Sequence, residues 1–133
     1  MIFIYLLEGN AELAPAVHSL YEEMQKRKAR LMTSAFAVAE VLTGLKKLRA
    51  AESLSLARDF FSSPQIEILP FDLATAEIYA SLRSQASMSA PDAIHIATAA
   101  HAETDLFITN DRKLQKLSIP GIRFIAGPDG KLW

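Results

Sequence analysis

The 133-residue chain contains no cysteine. That excludes a disulfide framework, a thiol nucleophile, a zinc finger and a thioredoxin-type redox site. Its glycines form no G-x-x-x-x-G-K-[ST] or similar phosphate-cradling loop, so a nucleoside triphosphatase is disfavoured. His18, His95 and His101 lack H-E-x-x-H spacing, which argues against zinc. Neither sign of charge dominates: 14 basic and 15 acidic residues leave a net charge of −1, so no global positive field announces a nucleic-acid partner. Long apolar runs are missing as well. Met1 to Leu7 is apolar and uncharged, but it has no leading Lys or Arg and ends at Glu8, Gly9 and Asn10, unlike a secretory signal. A membrane span needs ~20 apolar residues. The chain reads as a soluble cytoplasmic protein without a membrane partner. Met1 to Leu7 is then a buried strand or the first turns of a buried helix, which periodicity does not separate.

What is present argues for one folded domain over 1–133. Half of the residues are hydrophobic and 22% are charged, which excludes disorder as the main state. Asn10 can cap a helix running from about Ala11 to Lys28. The mixed charges Glu22, Glu23, Lys26, Arg27, Lys28 and Arg30 mark the solvated end of that helix. Leu31 to Thr33 is a strand candidate. Ser34 then caps a long helix with Val38, Val41, Leu42, Leu45 and Leu48 as its core stripe. A helix over Ala51 to Phe61 ends at Ser62, Ser63 and Pro64. Ile66 to Leu69 is a strand, and Asp72 caps a helix with Leu73, Ala76, Ile78, Tyr79 and Leu82 as apolar contacts. After a loop from Ser84 to Ser89 come a helix (Ala90 to Glu103), a strand (Leu106 to Thr109), a short helix (Arg112 to Leu117), a strand (Gly121 to Ile125) and a turn at Pro128, Asp129 and Gly130. Strands alternating with helices imply an α/β fold with a central parallel sheet. Ligands of such sheets bind beyond the carboxyl ends of the strands.

Three acids stand alone in otherwise uncharged stretches. Glu40 is the only charged residue between Arg30 and Lys46. Its helical neighbours Phe36, Ala37, Thr43 and Gly44 offer no i,i+4 partner, so it either faces solvent on the helix flank or risks a costly unpaired burial. Asp92 is the only charged residue between Arg83 and Glu103. With Ser89 and Pro91 it also matches a capping box. Asp111 follows a strand and equally suits the cap of the next short helix. Clustered carboxylates repel and take up protons unless a cation intervenes. Mg²⁺ or Mn²⁺ prefers carboxylate oxygens and can activate water for phosphodiester cleavage. His95 reads as a packed helix residue, and Ser34 and Ser19 show no His/Asp partnership that would make either a nucleophile.

The stretches FIYLLEGN, Ala39–Gly44 (AEVLTG), Pro91–Ala99 (PDAIHIATA) and Leu106–Asp111 (LFITND) resemble the ordered motifs of PIN-domain nucleases, and in particular the VapC-type toxins of bacterial toxin–antitoxin pairs. The resemblance implies a three-layer α/β/α fold and a Mg²⁺- or Mn²⁺-dependent endoribonuclease. It assigns Glu40, Asp92 and Asp111 as catalytic metal ligands, with Thr109 and Asn110 as supporting positions. It implies an RNA substrate, a cognate antitoxin and a homodimer. Arg112 and Lys113 could contact the RNA backbone. The family's first acid ends a first, central strand placed just before a segment like Ile2 to Asn10, so that strand and aspartate are expected to be missing here, through an incomplete reading frame or a start assigned too late. That turns Met1 to Leu7 toward a helix start. The alternative within the same family is a truncated or inactive module that binds a protein partner without cleaving RNA. A receiver-like signalling domain also gathers acids at strand ends, but Leu69-Pro70-Phe71-Asp72 supplies only a helix cap.

Overall fold

The computed structural model describes residues 22–26, 28–85 and 87–127. The expectations for Met1 to Leu7, for most of the first helix, for Ser19 and His18, and for the turn at Pro128 to Gly130 lie outside the described residues. Residues 22–26 are helical, in keeping with the end of that first helix.

Four of the later helices begin where a short polar side chain satisfies a free N–H group of the helix start. Ser34 has an extended backbone and its Oγ accepts the Ala37 N–H at 2.9 Å. It thus ends strand β1 (Met32–Ser34) and caps helix α1 (Ala35–Lys47) with no loop between. Arg49 then adopts a left-handed conformation, φ 53°. Its N–H bonds the Lys46 carbonyl and that of Ala50 the Leu45 carbonyl, which closes α1 and turns the chain into α2 (Ala51–Phe61). Strand β2 (Glu67–Leu69) returns to pair parallel with β1, Thr33 opposite Ile68. Asp72 accepts the Thr75 N–H and starts α3 (Leu73–Gln85). Ser89 caps α4 (Ala90–His101), with Pro91 in its first turn. Strand β3 (Leu106–Ile108) leads to Asp111, which caps the short α5 (Arg112–Gln115). Strand β4 (Phe124–Ala126) then pairs parallel with β3, Phe107 opposite Ile125. Gly121, at φ +95°, lets the chain pass α4: a Cβ there would lie 2.5 Å from the Ala100 carbonyl oxygen.

The α/β class with parallel, helix-crossed strands is as expected. The sheet is in two pieces among the described residues: β1 with β2, and β3 with β4. A cavity of about 90 Å³ lies between the pieces, lined by both Met32–Ser34 and Leu106–Ile108. Each piece has its own apolar cluster. Ile96, Ala99, Ala100, Phe107, Leu114 and Ile122 form the larger. Val41, Leu45 and Ala57 form the smaller, between α1 and α2. No helix among the described residues is long and apolar enough to cross a membrane.

Two expected core leucines are at the surface instead. Leu48 is 73% exposed because it is the C-cap of α1, beyond the last buried turn. Leu73 is 80% exposed at the first position of α3, where Thr75 takes the buried place. Several ends also move. Ser34 belongs to the first strand, α4 stops at His101 rather than Glu103, α5 stops at Gln115, and the last strand starts at Phe124. The end of α4 was concealed because Glu103 takes the left-handed conformation (φ 53°) usually left to glycine after a helix.

Candidate functional site

The site is built around His95 on α4. Helix α4 is almost entirely buried from Ala93 to Ala100, so the imidazole of His95 is enclosed and must find partners for both nitrogens. It finds them on other elements. Nε2 lies 2.7 Å from Glu40 Oε1 on α1, and Nδ1 lies 2.9 Å from Ser34 Oγ at the end of β1. The Phe36 ring sits 5.5 Å away, tilted by 53°. Burial pushes the His95 pKa below its ordinary value, and the hydrogen bond and charge of Glu40 oppose that shift.

Glu40 is neither solvated and free nor buried unpaired, the two outcomes its sequence neighbours left open. Its side chain is 37% exposed and meets His95 from 55 residues away. Asp92 begins α4, half-buried, and its N–H reaches Ser89 Oγ at 3.3 Å, so the expected cap is present. Its charge also acts on His95. Two of the three isolated acids thus belong to one neighbourhood. Asp111 is used differently. It is exposed, and its Oδ1 accepts the Lys113 N–H at 2.8 Å. Thr109 is buried and supports that turn, accepting the Asp111 N–H at its hydroxyl (3.1 Å) while its own N–H bonds the Ala126 carbonyl. Asn110, Arg112 and Lys113 are exposed.

His95 and Ser34 are what sequence reasoning missed. His95 was read as a packing residue, and Ser34 as lacking a histidine partner. Their link spans 61 residues, so no local spacing could reveal it. The only hint was that an uncharged, buried helix face carried a histidine. The Ser34–His95–Glu40 chain has the order of a nucleophile, base and orienting acid. Ser34, however, is only 5% exposed and its Oγ is already engaged by the Ala37 N–H. It serves as an anchor.

Among the described residues, no group of three or more His, Cys, Asp or Glu side chains is placed to hold a metal ion. A full protein cage is therefore not formed by them. Mg²⁺ asks for less, since it keeps several waters and is bound through one or two carboxylates plus substrate phosphates. Glu40, 37% exposed, and the half-buried Asp92 are carboxylates of the kind that smaller requirement calls for.

The model of the PIN domain family matches residues 1–120. The chain belongs to the PIN domain family. A chain of a solved "Toxin-antitoxin complex from Klebsiella pneumoniae" is similar to it at 26% identity with a TM-score of 0.69. That match covers 91% of this chain and 89% of the other. No curated protein matches. The α/β arrangement is thus a PIN fold of the α/β/α type, and the family relation is to metal-dependent nucleases and to the toxins of toxin–antitoxin pairs. In this PIN domain Glu40 of α1 is tied to His95 of α4, and His95 in turn to Ser34 at the carboxyl end of β1.

Proposed function

We propose that this PIN domain is the toxin of a toxin–antitoxin pair and a Mg²⁺- or Mn²⁺-dependent endoribonuclease. The observation that carries the reading is that Glu40 of α1 bonds the buried His95 of α4, one helical turn beyond Asp92. In this reading Glu40 and Asp92 hold the ion. Asp111, with Thr109 and Asn110 shaping its turn, contributes a carboxylate from the end of β3. A bound divalent ion would supply activation of water and charge stabilisation at the scissile phosphate. The chain's own part is to present these carboxylates and to hold Glu40 through His95. Arg112 and Lys113, both exposed, contact the RNA backbone. The net charge of −1 leaves affinity to such local contacts. The partners are an antitoxin, for which the similarity to a chain of a toxin–antitoxin complex speaks, and a second copy of the chain.

The test is incubation of the purified protein with RNA, with and without Mg²⁺ or Mn²⁺. Metal-dependent cleavage is expected, falling by at least ~10²-fold in Asp92→Asn and in Glu40→Gln, as befits loss of an electrostatic catalytic group. Absence of cleavage in the unmodified protein, or cleavage that survives both substitutions, overturns the nuclease reading. The first of these outcomes, with antitoxin binding retained, would favour an inactive module that only engages its partner.

A further inference from the structure

His95 is bonded through both ring nitrogens, and its neighbours constrain where the hydrogen sits. The Ala37 N–H donates to Ser34 Oγ. The Ser34 hydroxyl therefore has its own hydrogen available, and the polar group facing it is His95 Nδ1 at 2.9 Å. A carboxylate only accepts, so Nε2, which faces Glu40 Oε1 at 2.7 Å, carries a hydrogen. In the neutral ring Nδ1 is then bare and takes the Ser34 hydroxyl hydrogen. The bonds run in one direction, from the Ala37 amide through Ser34 and His95 to the Glu40 carboxylate, which accepts.

We propose that His95 is a positioning residue for Glu40, set in its Nε2–H tautomer by Ser34 and holding the Glu40 carboxylate in one orientation. Burial of the ring and the Phe36 contact fix where the N–H points. A glutamate on a helix flank has three side-chain torsions and, without a partner, samples several rotamers. One hydrogen bond on Oε1 orients the carboxylate yet uses only part of its acceptor capacity, so the group can still meet an ion. Donors behind a ligating carboxylate are the usual means of aiming it. The arrangement also couples the end of β1, the cap of α1 and the middle of α4, so the carboxylate is registered to the fold and not just to its own helix. The functional consequence rests on the reading of Glu40 as an ion ligand; the orientation itself does not.

The experiment uses the whole chain and two substitutions. His95→Gln keeps an N–H donor near the position of Nε2, whereas His95→Phe keeps the ring and removes both polar atoms. Without metal, nitrogen NMR should show Nε2 protonated and Nδ1 bare in the unmodified protein. Side-chain couplings of Glu40 should report one rotamer in the unmodified protein and in His95→Gln, and averaging in His95→Phe. With Mn²⁺ alone as the probe, His95→Phe should weaken binding by about tenfold, while His95→Gln stays within about threefold of the parent. If His95→Phe does not fold, the tautomer and the couplings of His95→Gln decide. The Nδ1–H tautomer, an averaged Glu40 in the unmodified protein, or equal Mn²⁺ affinity in both variants overturns the proposal. Mn²⁺ affinity unchanged in Glu40→Gln, with a single Glu40 rotamer held by His95, would remove Glu40 as an ion ligand while leaving its positioning intact.

Discussion

The two halves of the sheet solve the same problem with different means. Strand β3 buries Phe107 against the large cluster shared by α4, α5 and the segment around Ile122, with Ile78 and Leu82 of α3 packed on it. Strand β1 buries Thr33 and Ser34, both polar, and its following helix α1 packs on α2 through only Val41, Leu45 and Ala57 with a partly buried rim. The half around β3 is held by apolar packing. The half around β1 is held in large part by hydrogen bonds that also aim Glu40. The lesson is that the site lies on the side with less apolar packing, where polar groups must be satisfied by one another.

The sharpest way to break that comparison is a matched pair of truncations. Ile96→Ala, at a residue with 0% exposure in the large cluster, should cost ~3–4 kcal/mol, since a rigid core leaves a cavity. Leu45→Ala, in the small cluster at 4% exposure, should cost ~2 kcal/mol because its neighbours can close in. Urea unfolding of both measures the difference, and an equal or reversed order would show that the two halves are equally well packed.

A smaller effect tests the polar side. Thr33 Oγ1 is buried without a hydrogen-bond partner among the described residues and belongs to the wall of the cavity between β1 and β3. An unsatisfied buried hydroxyl costs ~1–3 kcal/mol, so the near-isosteric Thr33→Val should raise stability by up to ~1 kcal/mol in the same unfolding measurement. A loss of stability would mean that the hydroxyl is satisfied and that the wall at β1 is better completed than its hydrogen bonds indicate.

The smallest effect concerns the junction between α3 and α4. The Thr75 amide, then its hydroxyl, hold the Asp72 carboxyl below its ordinary value of 3.8, and His101 on α4 adds attraction from 3.5 Å. A depressed carboxyl stabilises the folded state in full above its unfolded value, and that stabilisation is lost as pH falls through the lower folded value. Stability should therefore decline below about pH 4, and Asp72→Asn should flatten that decline. An unchanged acid limb would remove Asp72 as a contributor.

Much of this was legible in the chain itself. Ser34, Asp72, Ser89 and Asp111 announced helix starts because a cap is a local event between residues two or three apart. The ends of helices were less legible. Arg49 and Glu103 turn the chain in the left-handed conformation without being glycine, so the usual mark of a stop was missing. Leu48 and Leu73 fitted the apolar spacing and still face solvent, since spacing does not say how far a neighbour extends. Glu40, Asp92 and Asp111 stood out by their isolation, but isolation says nothing of partners. Glu40 bonds His95 one turn beyond Asp92, and Asp111 is drawn into capping its own helix.

The sequence by itself determined the α/β class, the caps, the family relation and the three acids worth attention, because each of these is written in short-range patterns. Tertiary structure alone decided the pairing of the strands among the described residues, the burial of Thr75 in place of Leu73, and the bond between Glu40 and His95. The physical reason is that a buried imidazole must satisfy both nitrogens with whatever the fold brings near, and the partners it found, Ser34 and Glu40, are 61 and 55 residues away along the chain.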